Sequence, residues 1–270
     1  MKRFNSNLLF SVIVGIVFLF FVAPCAAQEI KVMTYNIFHG EQYYDNGKSN
    51  LDQVADVINQ YKPDFVALQE VDSMTNRTAS VNNDVPQDLV KVLAEKTGMH
   101  GFFGKAIDYD NGGYGEGILS RFPVQALNYD LPIPKGGEGR ALLTIAHTFP
   151  NGKKIVFAGT HLCHQFPENR LAQAEAICTI FGEEDLPIIM GGDFNFRPDT
   201  EPHQVIKNDF YDAAEVVGNP ENTISFENPR ARIDYIFLSK GHNWNIKNVE
   251  VIRVNASDHM PVLVTLELKD

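Results

Sequence analysis

The sequence is poor in cysteine and in positive charge. Its three cysteines include no pair at zinc-ligand spacing, so we expect no structural zinc site. Lys and Arg number 23 against 34 Asp and Glu, giving a formal net charge of -11 at pH 7 without any Lys/Arg-rich run. This balance argues against a broad cationic surface for long DNA. Repeats, heptads and low-complexity tracts are also missing, and a composition of 44% hydrophobic and 21% charged residues indicates one large globular domain.

The N-terminus carries the pattern of a secretory signal peptide. Residues 2–3 are basic, residues 8–22 are almost wholly apolar, and residues 25–27 supply the small side chains of a cleavage site. The apolar run is short for a membrane span, which needs about 20 residues. We therefore predict that residues 1–27 are removed on export.

Export sets the context of the mature domain, which we place at residues 28–270. We expect a monomer in a bacterial periplasm or outside the cell, with no transmembrane segment after signal cleavage. Lipidation at Cys25 is an alternative, which the preceding Pro24 disfavours. An export compartment permits a disulfide between Cys163 and Cys178, but Cys178 lies on an apolar helical stripe and we expect a free thiol there.

Apolar runs of strand length alternate with amphipathic helical segments along the mature chain. The pattern predicts strands at residues 30–37, 64–70, 118–121, 140–148, 154–160, 187–195, 231–238 and 262–268. It predicts helices from residue 51 to near residue 62, over 87–97 and over 168–181, and a mobile glycine-rich loop bordering a pocket at 108–117. We expect one α/β domain of two mostly antiparallel sheets packed together, with helices outside.

The stretch of residues 187–195 is the most informative. Its apolar run ends in Gly191 and Gly192, after which Asp193 and Asn195 follow two positions apart. Side chains alternate along a strand, so these two share a direction if the backbone stays extended. A turn is the alternative, because Gly-Gly-Asp also initiates loops. Polar groups stand at further strand ends, namely Asn36, Glu70, His161 and His164.

Seven short motifs follow one another in an order known from one superfamily. They are Tyr35-Asn36, Leu68-Gln69-Glu70, residues 115–121, Gly159-Thr160-His161-Leu162, Gly192-Asp193-Phe194-Asn195, Arg232-Ile233-Asp234-Tyr235 and Ser257-Asp258-His259-Met260-Pro261. Together they resemble the endonuclease/exonuclease/phosphatase superfamily, which includes DNase I-like nucleases, apurinic endonucleases, neutral sphingomyelinases and inositol polyphosphate 5-phosphatases. The resemblance covers essentially the whole mature chain. It implies a DNase I-like, four-layered α/β sandwich that hydrolyses a phosphoester.

The resemblance also implies a metal site. Glu70 is the first candidate ligand, with Asn36 and Asp258 as direct or water-mediated partners. Few carboxylates and several waters are what Mg²⁺ prefers, so we expect Mg²⁺, with Mn²⁺ as an alternative.

A second group of residues is expected to handle the attacking water. Asp193 and Asn195 resemble the family pair that orients and activates water. His259 resembles the second candidate base, with Asp234 fixing its tautomer. Either Asp193 or His259 could take the proton, and we favour Asp193, with a protonated His259 holding the phosphate.

Three further residues are expected at the phosphate. His161 should donate to a nonbridging oxygen in the transition state. Tyr114 and Glu116 have the Tyr-x-Glu spacing of DNase I-like enzymes, and Glu116 is predicted to pair with His161.

The resemblance leaves the substrate open. The acidic balance favours a small or lipid-linked phosphoester, diester or monoester, with Arg140, Arg170 and His164 as candidate contacts. A DNase-like nuclease is the alternative, and a non-catalytic binding module on the same fold is a further one. The histidines at positions 39, 100, 147, 203 and 242 are predicted to be solvated or hydrogen-bonded without a role in the site.

Overall fold

The computed structural model describes residues 28–269. The predicted signal peptide and the alternative lipidation at Cys25 lie outside these residues. Within them, every helix is too short or too polar to cross a membrane. Cys163 and Cys178 are both free thiols, the first buried and the second half-buried.

The described chain alternates strands and helices from end to end. The strands are β1 Glu29–Asn36, β2 Phe65–Ser73, β3 His100–Tyr109, β4 Gly112–Ser120, β5 Ala126–Leu131, β6 Arg140–Thr148, β7 Lys154–His161, β8 Ile188–Asp193, β9 Phe210–Asp212, β10 Asp234–Ser239, β11 Trp244–Val251 and β12 Val262–Leu268. The helices are α1 Leu51–Tyr61, α2 Asn76–Ser80, α3 Leu89–Thr97, α4 Pro167–Phe181, α5 Glu201–Asp209 and α6 Ala213–Val216, and a short 3₁₀ helix spans Phe38–Gly40.

The strands form two six-stranded sheets, which confirms the predicted fold class. The first has the order β11-β12-β1-β2-β4-β3 and the second β5-β6-β7-β8-β10-β9. Only β1 with β2 and β7 with β8 pair in parallel among the strands described, and the other neighbours are antiparallel. In parallel pairs the carboxyl ends of both strands reach the same edge. The carboxyl ends of β1 and β2 therefore lie at one edge of the first sheet, and those of β7 and β8 lie at one edge of the second.

The core has three layers of side chains. Between the sheets pack fully buried apolar residues that include Phe65, Phe157, Ile189 and Val264. A second cluster joins α1 and α3 to the outer face of the first sheet, and a third joins α4 and α5 to the second sheet. Both faces of each sheet are therefore covered, and the polar strand ends are left for the rim.

Helix α3 shows how local sequence sets an element's limits. The side chain of Asp88 accepts a hydrogen bond from the N–H of Lys91 at 3.0 Å, and Gly98 ends the helix in the left-handed conformation with φ 65°. The helix therefore begins two residues after the predicted start at residue 87, because Asp88 is its N-cap.

The predicted loop at residues 108–117 is wrong. These residues form the turn and one arm of the β3–β4 hairpin, where Asp110 and Asn111 have φ values of 45° and 65°. The glycines serve close strand contact rather than mobility. A Cβ at Gly115 would lie 2.0 Å from the carbonyl oxygen of Gly104 on the neighbouring strand.

Candidate active site

Polar side chains from both sheets meet at one edge of the sandwich. Asn36 ends β1, and His161 and Asp193 end the parallel neighbours β7 and β8 in register with each other. Asp234 begins the antiparallel strand β10 directly opposite Asp193. The sheet pairing thus gathers residues that lie up to about 200 positions apart in sequence.

Asn36 ties two carboxylates together. Its Nδ2 lies 3.0 Å from Glu70 Oε1 and 3.1 Å from Asp193 Oδ2. Its Oδ1 accepts from the backbone N–H of Phe38 at 3.1 Å. In this orientation the Nδ2 of Asn36 positions Glu70 and Asp193, and its role as a metal partner stays a prediction.

The backbone turns sharply where the key side chains stand. Glu70 has φ 55° and Asn195 has φ 51°, both in the left-handed region that non-glycine residues seldom occupy. The expectation that Asp193 and Asn195 share a direction depended on an extended backbone, and the backbone is not extended at Asn195. Instead the N–H of Asn195 folds back to Asp193 Oδ1 at 3.0 Å, an Asx-type turn that fixes this carboxylate.

Asp234 and His259 form a buried pair. His259 Nδ1 lies 3.0 Å and 2.9 Å from the two oxygens of Asp234, and Thr223 Oγ1 donates to Asp234 Oδ2 at 2.5 Å. His259 Nε2 lies 3.6 Å from Asp193 Oδ2. Burial alone would lower the pKa of His259, but the charges of Asp234 and Asp193 outweigh it and raise that pKa well above its ordinary value. The two carboxylates therefore favour the imidazolium form of His259.

The pKa of Asp193 lies above the ordinary value of an aspartate carboxyl group. Complete burial raises its pKa, although the charge of His259 and the donors from Asn195 and Asn36 oppose the rise. A carboxylate that is held by two donors and binds a proton more readily than usual has the properties of a general base near neutral pH.

His161 lies beside this pair. Its Nε2 is 2.9 Å from Asn195 Nδ2 and 3.4 Å from Asp193 Oδ2. Burial and the charge of Arg140 lower its pKa well below the ordinary value, so the ring is neutral. Asn195 Nδ2 donates, so Nε2 accepts here, and the donation from His161 to a phosphoryl oxygen stays a prediction.

The predicted pairing of Glu116 with His161 is not formed among the described residues. Glu116 is buried and its Oε2 has no hydrogen-bond partner. Burial raises the pKa of Glu116 to about 8, with the charge of Arg140 acting against the rise. Tyr114, also buried, lies close enough to Glu70 and Arg140 for their charges to act on its hydroxyl. Both residues of the Tyr-x-Glu motif therefore border the site, with Glu116 facing Arg140.

Glu70 and Asp258 supply the acidic side of the site. Glu70 Oε2 lies 3.6 Å from His39 Nδ1, and the second nitrogen of His39 lies 3.5 Å from Glu41 Oε2. Burial opposes the charge on Glu70, but the donors His39 and Asn36 hold its pKa below the ordinary value. Burial raises the pKa of Asp258, and the nearby charge of Glu70 adds to the rise.

This donor set fits a hard divalent cation. The charge of Glu70 raises the pKa of Asp258, which means that the two carboxylates repel each other. A divalent cation bound to both would remove that repulsion. Two other groups of residues have ligand atoms close together, but each already contains a basic side chain bound to its carboxylates. His259 lies beside Asp193 and Asp234, and the guanidinium of Arg232 lies beside Asp212 and Glu215.

The predicted substrate contacts are brought together in part. Arg140 Nη2 lies 3.1 Å from His164 Nδ1, and Arg140 Nη1 donates to Glu138. Strand β7 ends at His161, so His164 reaches this place through a turn and not along the strand. Arg170 Nη1 donates to the carbonyls of Cys163 and His164 at 2.8 and 3.1 Å. Arg170 therefore supports the His164 turn, and its contact with substrate stays a prediction.

Sequence reasoning missed His39 and Glu138. His39 was assigned no role, yet it contacts the predicted metal ligand Glu70 from a 3₁₀ turn in which its φ is 43°. The signal that could have found it is its position three residues after Asn36, because a residue so close to a strand end remains in the site. Glu138 lies in a glycine-rich loop with no periodic pattern, and only the fold shows that it meets Arg140.

Comparison with known proteins agrees with this geometry. Residues 33–259 match the Endonuclease/Exonuclease/phosphatase family. The chain belongs to this family, whose members hydrolyse phosphoester bonds. It is similar to the uncharacterized protein YbhP of Escherichia coli K12, with 26% identity over 249 residues that cover 88% of this chain and 96% of YbhP.

Two solved structures show the shared fold. A mannosyl-6-phosphatase from Bacteroides thetaiotaomicron VPI-5482 has a TM-score of 0.69 at 18% identity, covering 88% of this chain and 99% of its own. The catalytic domain of human Nocturnin has a TM-score of 0.68 at 20% identity, covering 89% and 94%. These likenesses are in architecture, and they confirm the DNase I-like sandwich.

Proposed function

We propose that this protein is an exported, metal-dependent hydrolase of a small or lipid-linked phosphoester. One observation carries the proposal: Asp193, bound by the amide of Asn36 and the N–H of Asn195, lies 3.6 Å from the ring of His259, whose other nitrogen binds Asp234. A candidate base and a candidate cation thus lie side by side, and the pKa values of both groups are raised, as these roles require. A site that only binds phosphate needs the cation but not the adjacent base.

The residues divide the work of an in-line displacement. Asp193 accepts a proton from the attacking water, whose oxygen forms a bond to phosphorus as the ester P–O bond breaks. Asn36 and the Asn195 backbone hold Asp193 in place for this step. The imidazolium of His259 donates to a nonbridging phosphoryl oxygen, and Asp234 preserves its charge.

Glu70 and Asp258 would hold the metal, with His39 and Asn36 fixing Glu70. When bound, Mg²⁺ would offset the negative charge of the phosphoryl and leaving oxygens. Mn²⁺ would serve with the same oxygen ligands.

The net charge of -11 supports a substrate smaller than a nucleic acid, because the described fold offers no compensating run of lysine and arginine. The mannosyl-6-phosphatase among the structural neighbours shows that this architecture serves a sugar phosphate in another protein. We therefore rank small phosphoesters above DNA.

A substrate panel tests the proposal. Purified mature protein is assayed with bis-aryl phosphate, hexose 6-phosphate, sphingomyelin, a phosphoinositide and plasmid DNA, each with Mg²⁺ and with EDTA. We expect EDTA-sensitive hydrolysis of at least one small or lipid ester, and none by Asp193→Asn. Turnover that survives EDTA would contradict the metal dependence, and efficient plasmid nicking at physiological salt would put the nuclease first.

A further inference from the structure

A second polar cluster adjoins the phosphate position. Arg140 begins β6, and its side chain is only 1% exposed. Its Nη1 donates to Glu138 and its Nη2 lies 3.1 Å from His164 Nδ1. The charge of Arg140 reaches the buried ring of His161, which places the cluster next to the reacting groups. Glu138 is a third exposed and His164 is exposed, so this cluster opens to solvent beside the active site.

Helix α4 holds the loop that carries Glu138. The fully buried side chain of Asn169 accepts from the N–H of Lys135 at 2.9 Å and donates to the carbonyl of Gly136 at 2.9 Å. The oxygen and the nitrogen of this one amide therefore bind adjacent residues of the loop. The loop is thereby fixed two residues before Glu138.

The same helix holds the turn that carries His164. The buried amide of Gln173 accepts from the N–H of Cys163 at 2.8 Å and donates to the carbonyl of Pro132 at 3.2 Å. Arg170 adds its two bonds to the carbonyls of Cys163 and His164. Loop and turn are therefore joined through buried amides into one preorganised unit, as a binding site requires.

Two buried polar atoms in this cluster lack partners. They are Nε of Arg140 and Oε2 of Glu116, and both residues are at most 2% exposed. Both atoms are closed off from solvent, so they lie behind the cluster, and a ligand would meet the exposed parts of Glu138 and His164.

The charges select the kind of ligand. A second phosphate or carboxylate would be attracted by Arg140 but would face the carboxylate of Glu138, which is already bound to the guanidinium. A hydroxyl group can donate to Glu138 and accept from Arg140 at once, because it is both donor and acceptor. A ring or chain with neighbouring hydroxyls matches alternating donors and acceptors better than a second anion does.

We propose that Glu138, Arg140 and His164 form a subsite that binds hydroxyl groups next to the scissile phosphate, so that the substrate is the phosphoester of a polyol such as a sugar. This inference deepens the proposed function and rests on it for the position of the phosphate. Glu138 is the residue that sets specificity, since it alone in the cluster supplies a charged acceptor to an incoming hydroxyl.

Equilibrium binding tests the subsite independently of turnover. The probes are glucose 6-phosphate and cyclohexylmethyl phosphate, which has the same phosphomethyl-substituted six-membered ring without ring oxygen or hydroxyls. Calorimetric titration uses the Asp193→Asn protein with Mg²⁺, so that neither probe is consumed. We expect glucose 6-phosphate to bind at least tenfold more tightly, and Glu138→Gln in the same background to remove most of that preference, because a hydrogen bond to a charged group is stronger than one to a neutral amide.

Controls separate the possible failures. Glu183→Gln changes an exposed glutamate just beyond α4 and should leave the preference intact. Equal binding of the two probes, a preference that survives both Glu138→Gln and His164→Ala, or tighter binding of glucose 1,6-bisphosphate through a second anion site would overturn the subsite. A clear preference in a protein that hydrolyses no ester would instead overturn the proposed function and leave the subsite standing.

Discussion

At the scale of single residues, the site places one basic side chain, His259, beside two carboxylates. Three ionisable groups, Asp193, Asp234 and His259, are buried with their ligand atoms within 4.8 Å of one another, and a proton on His259 offsets the charge of only one of the two carboxylates. Thr223 completes the arrangement by donating to Asp234. In this account Asp234 keeps His259 in its protonated form, and Asp193 is the group that exchanges a proton.

Asp234→Asn tests this division of roles. The amide keeps the shape of Asp234 but removes the charge that raises the pKa of His259, so less imidazolium remains to hold the phosphate. We expect kcat/KM on the best ester of the panel to fall roughly 10- to 100-fold, as for loss of other groups that orient a histidine. Asp56→Asn, an exposed carboxylate on α1, is the matched control. A change of less than twofold for Asp234→Asn would refute the role.

At the scale of elements, a buried charge network fixes the segment that leads into β10. Arg232 Nη1 lies 2.6 Å from Asp212 Oδ2 and its Nη2 lies 3.2 Å from Glu215 Oε1. His203 Nε2 lies 3.4 Å from the same oxygen of Asp212. Because Arg232 stands two residues before Asp234, the network joins α5 and α6 to the strand end that carries the catalytic carboxylate.

Asp212→Asn should destabilise the fold in a pH-dependent way. Burial opposes the charge on Asp212, but the bond from His203 and the charge of Arg232 outweigh it and lower its pKa. Its ionisation therefore favours folding above the unfolded-state value of about 3.9, and this contribution is lost as the pH falls through the lower folded-state pKa. Breaking such a buried pair should cost about 3 kcal/mol at pH 7.

Urea unfolding of Asp212→Asn and the unaltered protein at pH 7 and at pH 3 measures this difference. The gap between the two proteins should narrow at the lower pH. A gap that is constant with pH would show that Asp212 stabilises the fold through its shape and its capping of α6 alone.

Strands and helices with a periodic pattern of apolar residues can be predicted from the sequence. Features that depend on contacts between distant segments cannot. Strand ends such as Asn36 and Asp193 could be found because an apolar run stops at a polar group. The β3–β4 hairpin was missed because its glycines, which permit close strand approach, look like a loop in one dimension. The meeting of Glu138 with Arg140, and the effect of the Arg140 charge on Glu116, follow from how the chain folds and not from a local pattern.

At the scale of the whole molecule, two sheets and their covering helices build one rim on which all the candidate residues lie. The first described strand, β1, begins at Glu29, two residues after the predicted cleavage site. It lies inside the first sheet between β12 and β2, so both of its edges are paired.

Processing of the full-length chain in a Gram-negative bacterium tests the export prediction. We expect a periplasmic protein whose N-terminal residue is Gln28, with the mass of residues 28–270. N-terminal sequencing and intact mass spectrometry provide the measurement. Retention of Met1 would contradict cleavage, and a diacylated N-terminal Cys25 would show lipid anchoring.

The most direct measurement is hydrolysis of a bis-aryl phosphate by Glu70→Gln as Mg²⁺ is titrated. Glutamine keeps the size of Glu70 but removes the charge that the proposed metal site requires. We predict that Mg²⁺-dependent hydrolysis is abolished while the melting temperature is unchanged, and that the exposed control Glu95→Gln keeps full activity. Unchanged Mg²⁺-dependent turnover by Glu70→Gln would contradict the account.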